Sequence, residues 1–181
     1  VDGETLWQAQ RRAEYLIFSA LHRFDRATKR AHLTRNASVS VRSQGISFTG
    51  ARGEEGEVLL DTDKELSEEF TAPDKVRMWH SLTQVGGGND DVEALKHVYE
   101  QIKSEEDKTA RRAGKEKKER RLRLVIACSD GGPVDPEGVH FMAEELGKIG
   151  AVVVGLGITE VAASVPMIFD TPHSRGEIVE D

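Results

Sequence analysis

An apolar run over residues 124–128 stops abruptly at Ser129, Asp130, Gly131, Gly132 and Pro133, and a second loop, Gly86-Gly87-Gly88-Asn89-Asp90-Asp91, opens onto a stripe of helical spacing. A carboxylate at the carboxyl end of a buried strand, followed by glycines, stands where open α/β sheets take their ligands. Together the two loops offer hard oxygen donors only: the carboxylates of Asp90 and Asp130 and the amide carbonyl of Asn89. Such a donor set suits Mg²⁺ or Mn²⁺, which keep open positions for water or an incoming carboxylate. Asp130 also fits a plainer role, as the cap of the turn or helix that follows it.

Other spacings point to different chemistry. Residues 57–63 read as a strand ending Asp61-Thr62-Asp63, the spacing of phosphoryl-transfer enzymes that use an aspartate nucleophile, but no glycine and threonine follow it. Gly155-Leu156-Gly157 is half of a dinucleotide fingerprint, with Glu160 at the third glycine's place, where it would repel a pyrophosphate. The six histidines show no two at metal-ligand spacing, and no serine–histidine–acid grouping follows from their order. The single cysteine, Cys128, lies inside an apolar run and reads as a small buried hydrophobe, which excludes a disulfide framework.

The elements that must carry these loops follow from periodicity. Leu6, Ala9, Ala13, Leu16, Ile17, Ala20, Leu21 and Phe24 recur at three- and four-residue intervals and predict an amphipathic helix of about six turns. Val39, Val41, Ile46 and Phe48 alternate with polar residues, and residues 58–60 form a short apolar run, giving two strands. Residues 72–82 form a short helix with Pro73 in its first turn, and Val92, Leu95, Val98, Tyr99 and Ile102 mark another. A helix over 136–149 and a buried strand over 151–156 follow, then a last apolar run at 165–169. Strands alternating with helices predict an α/β protein with a doubly wound, mostly parallel sheet and helices on both faces.

The 181 residues, 38% hydrophobic and 31% charged, describe one globular domain spanning 1–181. No apolar run approaches the roughly 20 residues that span a bilayer, and the N-terminal residues are not a basic-then-apolar signal, so a soluble, cytoplasmic protein without a membrane partner is expected. The net charge of -7 argues against nucleic acid as a partner. Residues 103–123 nevertheless carry ten Lys/Arg against five Asp/Glu, a solvated helical extension or linker without the aromatic residues that stacking on bases requires.

Three stretches resemble the von Willebrand factor type A domain family. Residues 124–133 are similar to its apolar strand ending Thr-Asp-Gly-x-Pro, with Ser129 for threonine; residues 87–95 resemble its Gly-Gly-Thr-Asp-x-x-x-Ala-Leu loop, with Asn89 for threonine; and residues 147–157 are similar to a helix end and the strand closing Gly-x-Gly. The resemblance implies a metal-ion-dependent adhesion site, with Asn89 and Asp130 as its second and third parts and Asp90 as a charged candidate beside Asn89. The family's first part, Asp-x-Ser-x-Ser, belongs immediately before the first helix and is absent, and a closing helix is absent after Asp181, so the chain reads as truncated at both ends. The function implied is binding, not catalysis: a divalent cation bridging to an acidic residue of a partner protein, with ring-forming AAA+ ATPases as the partners that the family's intracellular bacterial members imply. A Mg²⁺-dependent hydrolase or phosphatase using Asp61 and Asp130, and a scaffold without metal, are the alternatives.

Overall fold

A computed structural model describes residues 6–32, 39–52, 58–80, 90–113, 121–129, 132–158 and 162–179. In chain order the elements are α1 (Leu6–His32), β1 (Ser43–Arg52), β2 (Val58–Ser67), α2 (Ala72–His80), α3 (Asp91–Ala113), β3 (Arg123–Ser129), α4 (Pro136–Lys148), β4 (Ala151–Ile158), α5 (Val165–Ile168) and β5 (Ser174–Val179). They group into two compact units, residues 1–48 with 60–85 and residues 49–59 with 86–181.

In the first unit α1 lies against the antiparallel β1–β2 pair, with α2 beside it. Phe18, Phe70 and Met78 form its small apolar core, joined by the partly buried Tyr15 and Leu21. Among the described residues the other groups buried here are largely ionic: Arg11, Asp25, Asp63, Lys64 and Asp74. The expected apolar stripe of α1 is therefore corrected. Leu16 and Phe24 are 65% and 55% exposed, while Arg11 and Asp25, at 4% and 2%, point inward. Burial of charge is tolerated where the group is bonded. Lys64 Nζ donates to the carbonyls of Ser43, Glu65 and Ser67 at 2.7, 3.1 and 3.0 Å, and burial holds its pKa below the usual lysine range. At the start of α2, Asp74 Oδ2 accepts from the Thr71 N–H at 2.8 Å and Thr71 Oγ1 accepts from the Asp74 N–H at 3.3 Å, a reciprocal cap.

The second unit is built on three parallel strands in the order β3-β4-β5. Arg123 pairs with Ala151 and Ser129 with Gly157, and Val153 to Ile158 pair in register with Ser174 to Val179. One face of the sheet is covered: Leu95 of α3 and Val139, Met142, Ala143 and Leu146 of α4 pack with Val153, and Val125 and Ala127 join them. Gly155 belongs to this face, where an added Cβ would lie 2.2 Å from the Phe169 ring. Absence of a side chain there lets the segment carrying α5 press onto the strand. On the other face Leu124, Ile126 and Val152 are exposed. The expectation of an α/β fold with a parallel sheet thus holds, while β1 and β2 form a separate two-stranded antiparallel sheet. The apolar run at 165–169 forms the short α5, and the strand after it, β5, alternates charged residues with small and apolar ones.

Candidate functional site

The end of β3 leads to the candidate site. β3 runs parallel to β4 as far as Ser129, the residue preceding Asp130. The loop beyond β3 enters α4 at Asp135, whose Oδ1 accepts from the Gly138 N–H at 2.9 Å, with Pro136 in the first turn where its missing N–H costs nothing. α3 begins beside this point. A Cβ at Gly138 would lie 2.9 Å from Val92 Cγ2, so the first turns of α3 and α4 touch. Gly132 approaches the loop after β4 as well, its Cβ position lying 3.5 Å from Ser164 Oγ. At the other end of α3, Glu106 pairs with Arg123 of β3 at 2.8 Å.

Asp90, half-buried, stands directly before α3, and its carbonyl accepts from the Ala94 N–H at 3.3 Å. Asn89 and Asp130, with Gly86, Gly87 and Gly88, lie outside the described residues. Among the described residues no three His, Cys, Asp or Glu side chains gather as a metal cluster. The donor set of Asn89, Asp90 and Asp130 holds oxygen only, the chemistry of a hard divalent cation. The first turns of α3 and α4, brought together at the carboxyl end of β3, are the part of the arrangement that the described residues carry.

The two aspartates of the Asp61-Thr62-Asp63 stretch in β2 differ in burial. Asp61 is exposed, whereas Asp63 is fully buried and its Oδ2 accepts from Arg11 Nη1 at 3.2 Å and from the Ser47 hydroxyl. This aspartate is committed to an internal ion pair. A second polar region is an open cleft of about 380 Å³ lined by residues that include His22, Asp25, Lys29 and Glu68. Its charges answer one another: Lys29 lies 2.7 Å from Asp25 and 2.6 Å from Glu68, and Asp25 Oδ1 accepts from the Val41 N–H at 2.9 Å. Burial pushes the Asp25 carboxyl up, but Lys29 and the Val41 amide outweigh it and hold its pKa below the usual range.

Sequence reasoning missed the Arg11–Glu14–Ser47–Asp63 cluster. Its available signals were an Arg and a Glu three apart on one helix face and an aspartate on an alternating strand. Comparison with protein-family models and with curated proteins finds no match for this chain. No helix among the described residues is long and apolar enough to cross a membrane.

Proposed function

We propose that this chain is a von Willebrand factor A-like domain that binds a protein partner, with Mg²⁺ or Mn²⁺ held by Asn89, Asp90 and Asp130 and bridging to an Asp or Glu of that partner. The single observation that supports it is the junction at the end of β3, where Val92 of α3 meets Gly138 of α4. In sequence, Asp90 immediately precedes α3 and Asp130 immediately follows β3. A doubly wound sheet with helices on both faces belongs to the same reading.

When bound, the cation supplies a fixed positive charge to which a partner's carboxylate can coordinate. The chain's own residues do the rest. Asp90 and Asp130 contribute negative charge from separate loops, and Asn89 contributes a neutral oxygen, three donors that leave further coordination positions for water, one of which a partner's carboxylate displaces. Charge-assisted coordination then gives an affinity that an exposed salt bridge does not. The partner presents Asp or Glu, and a ring-forming AAA+ ATPase is the class that the family resemblance implies.

A calorimetric Mn²⁺ titration of the chain and of Asp130→Ala tests the reading. The expected outcome is binding heat that disappears in the variant; equal heats for the two proteins would refute it. Partner capture that is indifferent to a chelator would point to the scaffold without metal.

A further inference from the structure

Glu14 of α1 and Asp63 of β2 meet around one guanidinium. Arg11 Nη1 donates to Glu14 Oε2 at 3.0 Å and to Asp63 Oδ2 at 3.2 Å, and the Ser47 hydroxyl of β1 donates to that same Asp63 oxygen. The Asp63 side chain is fully buried, with Arg11 at 5% and Glu14 at 21% exposure. The hairpin makes room for the approach, because a Cβ at Gly45 would lie 2.8 Å from Glu14 Oε1. Two carboxylates and one guanidinium leave an excess negative charge where desolvation makes it costly. Asp63 Oδ1 has no hydrogen-bond partner among the described residues. One proton on the pair relieves both faults, since it cancels the excess charge and turns a carboxyl group into a donor.

We propose that Glu14 and Asp63 form a proton-sharing carboxyl pair, a clasp that fastens α1 to the β1–β2 hairpin while it holds the proton and loosens when the proton leaves. The proton is placed on Glu14. Burial first, and then the repulsion of Asp63, raise its pKa from 4.5 to about 7 against the opposing pull of Arg11.

The surrounding elements leave this balance intact. Among the described residues the charged groups acting on Glu14 are Asp63 from β2 and Arg11 from its own helix, and β1 contributes the uncharged Ser47 and Gly45. Lys64, the next residue of β2, is engaged by the carbonyls of Ser43, Glu65 and Ser67 and lies 5.9 Å from the Phe18 ring centroid. From α2, Asp74 is bonded to Thr71 and Lys75 lies over the Phe70 and Tyr15 rings. The clasp therefore responds to pH in the neutral range, through a group whose ordinary titration is far more acidic.

The test is amide hydrogen exchange of the full chain at pH 5.5 and pH 8, corrected for intrinsic rates, together with carbon NMR of the Glu14 carboxyl. From the raised pKa the opening of α1 increases roughly thirtyfold over that interval. Glu14→Gln abolishes this increase, and the wild-type carboxyl titrates near neutrality. A Glu14 carboxyl that titrates below about pH 5, or an unchanged increase in Glu14→Gln, would overturn the proposal. Should the variant fail to fold, the wild-type carboxyl titration decides alone.

Discussion

Replacing Glu14 by glutamine gives the first unit a stability profile that no longer falls toward alkaline pH. The magnitude follows from the raised pKa. A shift from 4.5 to about 7, at about 1.4 kcal/mol per unit, corresponds to about 3 kcal/mol. Because the folded-state value is raised, this stabilisation is complete below pH 4.5, declines as pH rises, and is gone above about 7. On the acid side the sign reverses. Burial acts to raise Asp25 and Asp74, but bonds from Lys29 and Val41 to the first and from Thr71 to the second lower both below 3.8. Their contributions are present above that value and are lost as pH falls through their folded-state pKa. Maximum stability is thus expected near pH 5, with a decline of about 2–3 kcal/mol by pH 8.

Both tryptophans of the chain, Trp7 and Trp79, belong to the first unit, so urea unfolding followed by their fluorescence reports on it directly. In wild type the urea midpoint is highest near pH 5 and drops by pH 8. In Glu14→Gln it stays level over that interval, and at pH 8 the variant matches or exceeds wild type. The reasoning is refuted if the two proteins show the same slope with pH.

Two glycines separate steric from conformational cost. Gly155→Ala places a methyl 2.2 Å from the Phe169 ring, whereas Gly150→Ala meets nothing within 4 Å but must hold φ +81°. The first is expected to cost about 1–3 kcal/mol through overpacking and the second about 1–2 kcal/mol through backbone strain alone, both read from urea curves followed by circular dichroism. A wild-type midpoint for Gly150→Ala would show that the turn after α4 adopts another conformation. Asp135→Ala removes the carboxylate that accepts from the Gly138 N–H, at an expected cost of about 1 kcal/mol by the same method. Asp135→Asn, which retains an acceptor, is expected to lose less.

Much of the second unit was legible because α4 and β4 each follow one hydropathy rule. α4 is announced by Pro136 and by the spacing of Val139, Met142, Ala143 and Leu146, and β4 by an unbroken apolar run, and the structure places both within a few residues of that reading. β5 was not legible, because Arg175 and Glu177 interrupt any apolar pattern and pairing with β4 decides the strand. α1 shows the limit more sharply. Its length exceeds the apolar repeat, reaching His32, and its inward residues include Arg11 and Asp25. A hydropathy pattern cannot choose Arg11 for the inside when its partner is Asp63, 52 positions away. At the candidate site residue types named the donor candidates, while the meeting of Val92 with Gly138 required the fold.

The two units consequently rest on different forces. The second buries Val139, Ala143, Leu146 and Val153 against one another, and such contacts are indifferent to protonation. The first has few buried apolar groups, Phe18, Phe70 and Met78, and sets Arg11, Asp63 and Lys64 among them. Buried ion pairs of this kind add little net stability, because desolvation offsets their attraction, yet removal of one partner is strongly destabilising. What they fix is position. Arg11 reaches Glu14, Ser47 and Asp63 at once only when α1 lies in one register along the hairpin. Protons added or withdrawn near neutral pH therefore act on how α1 is held and leave the parallel sheet of the second unit unchanged.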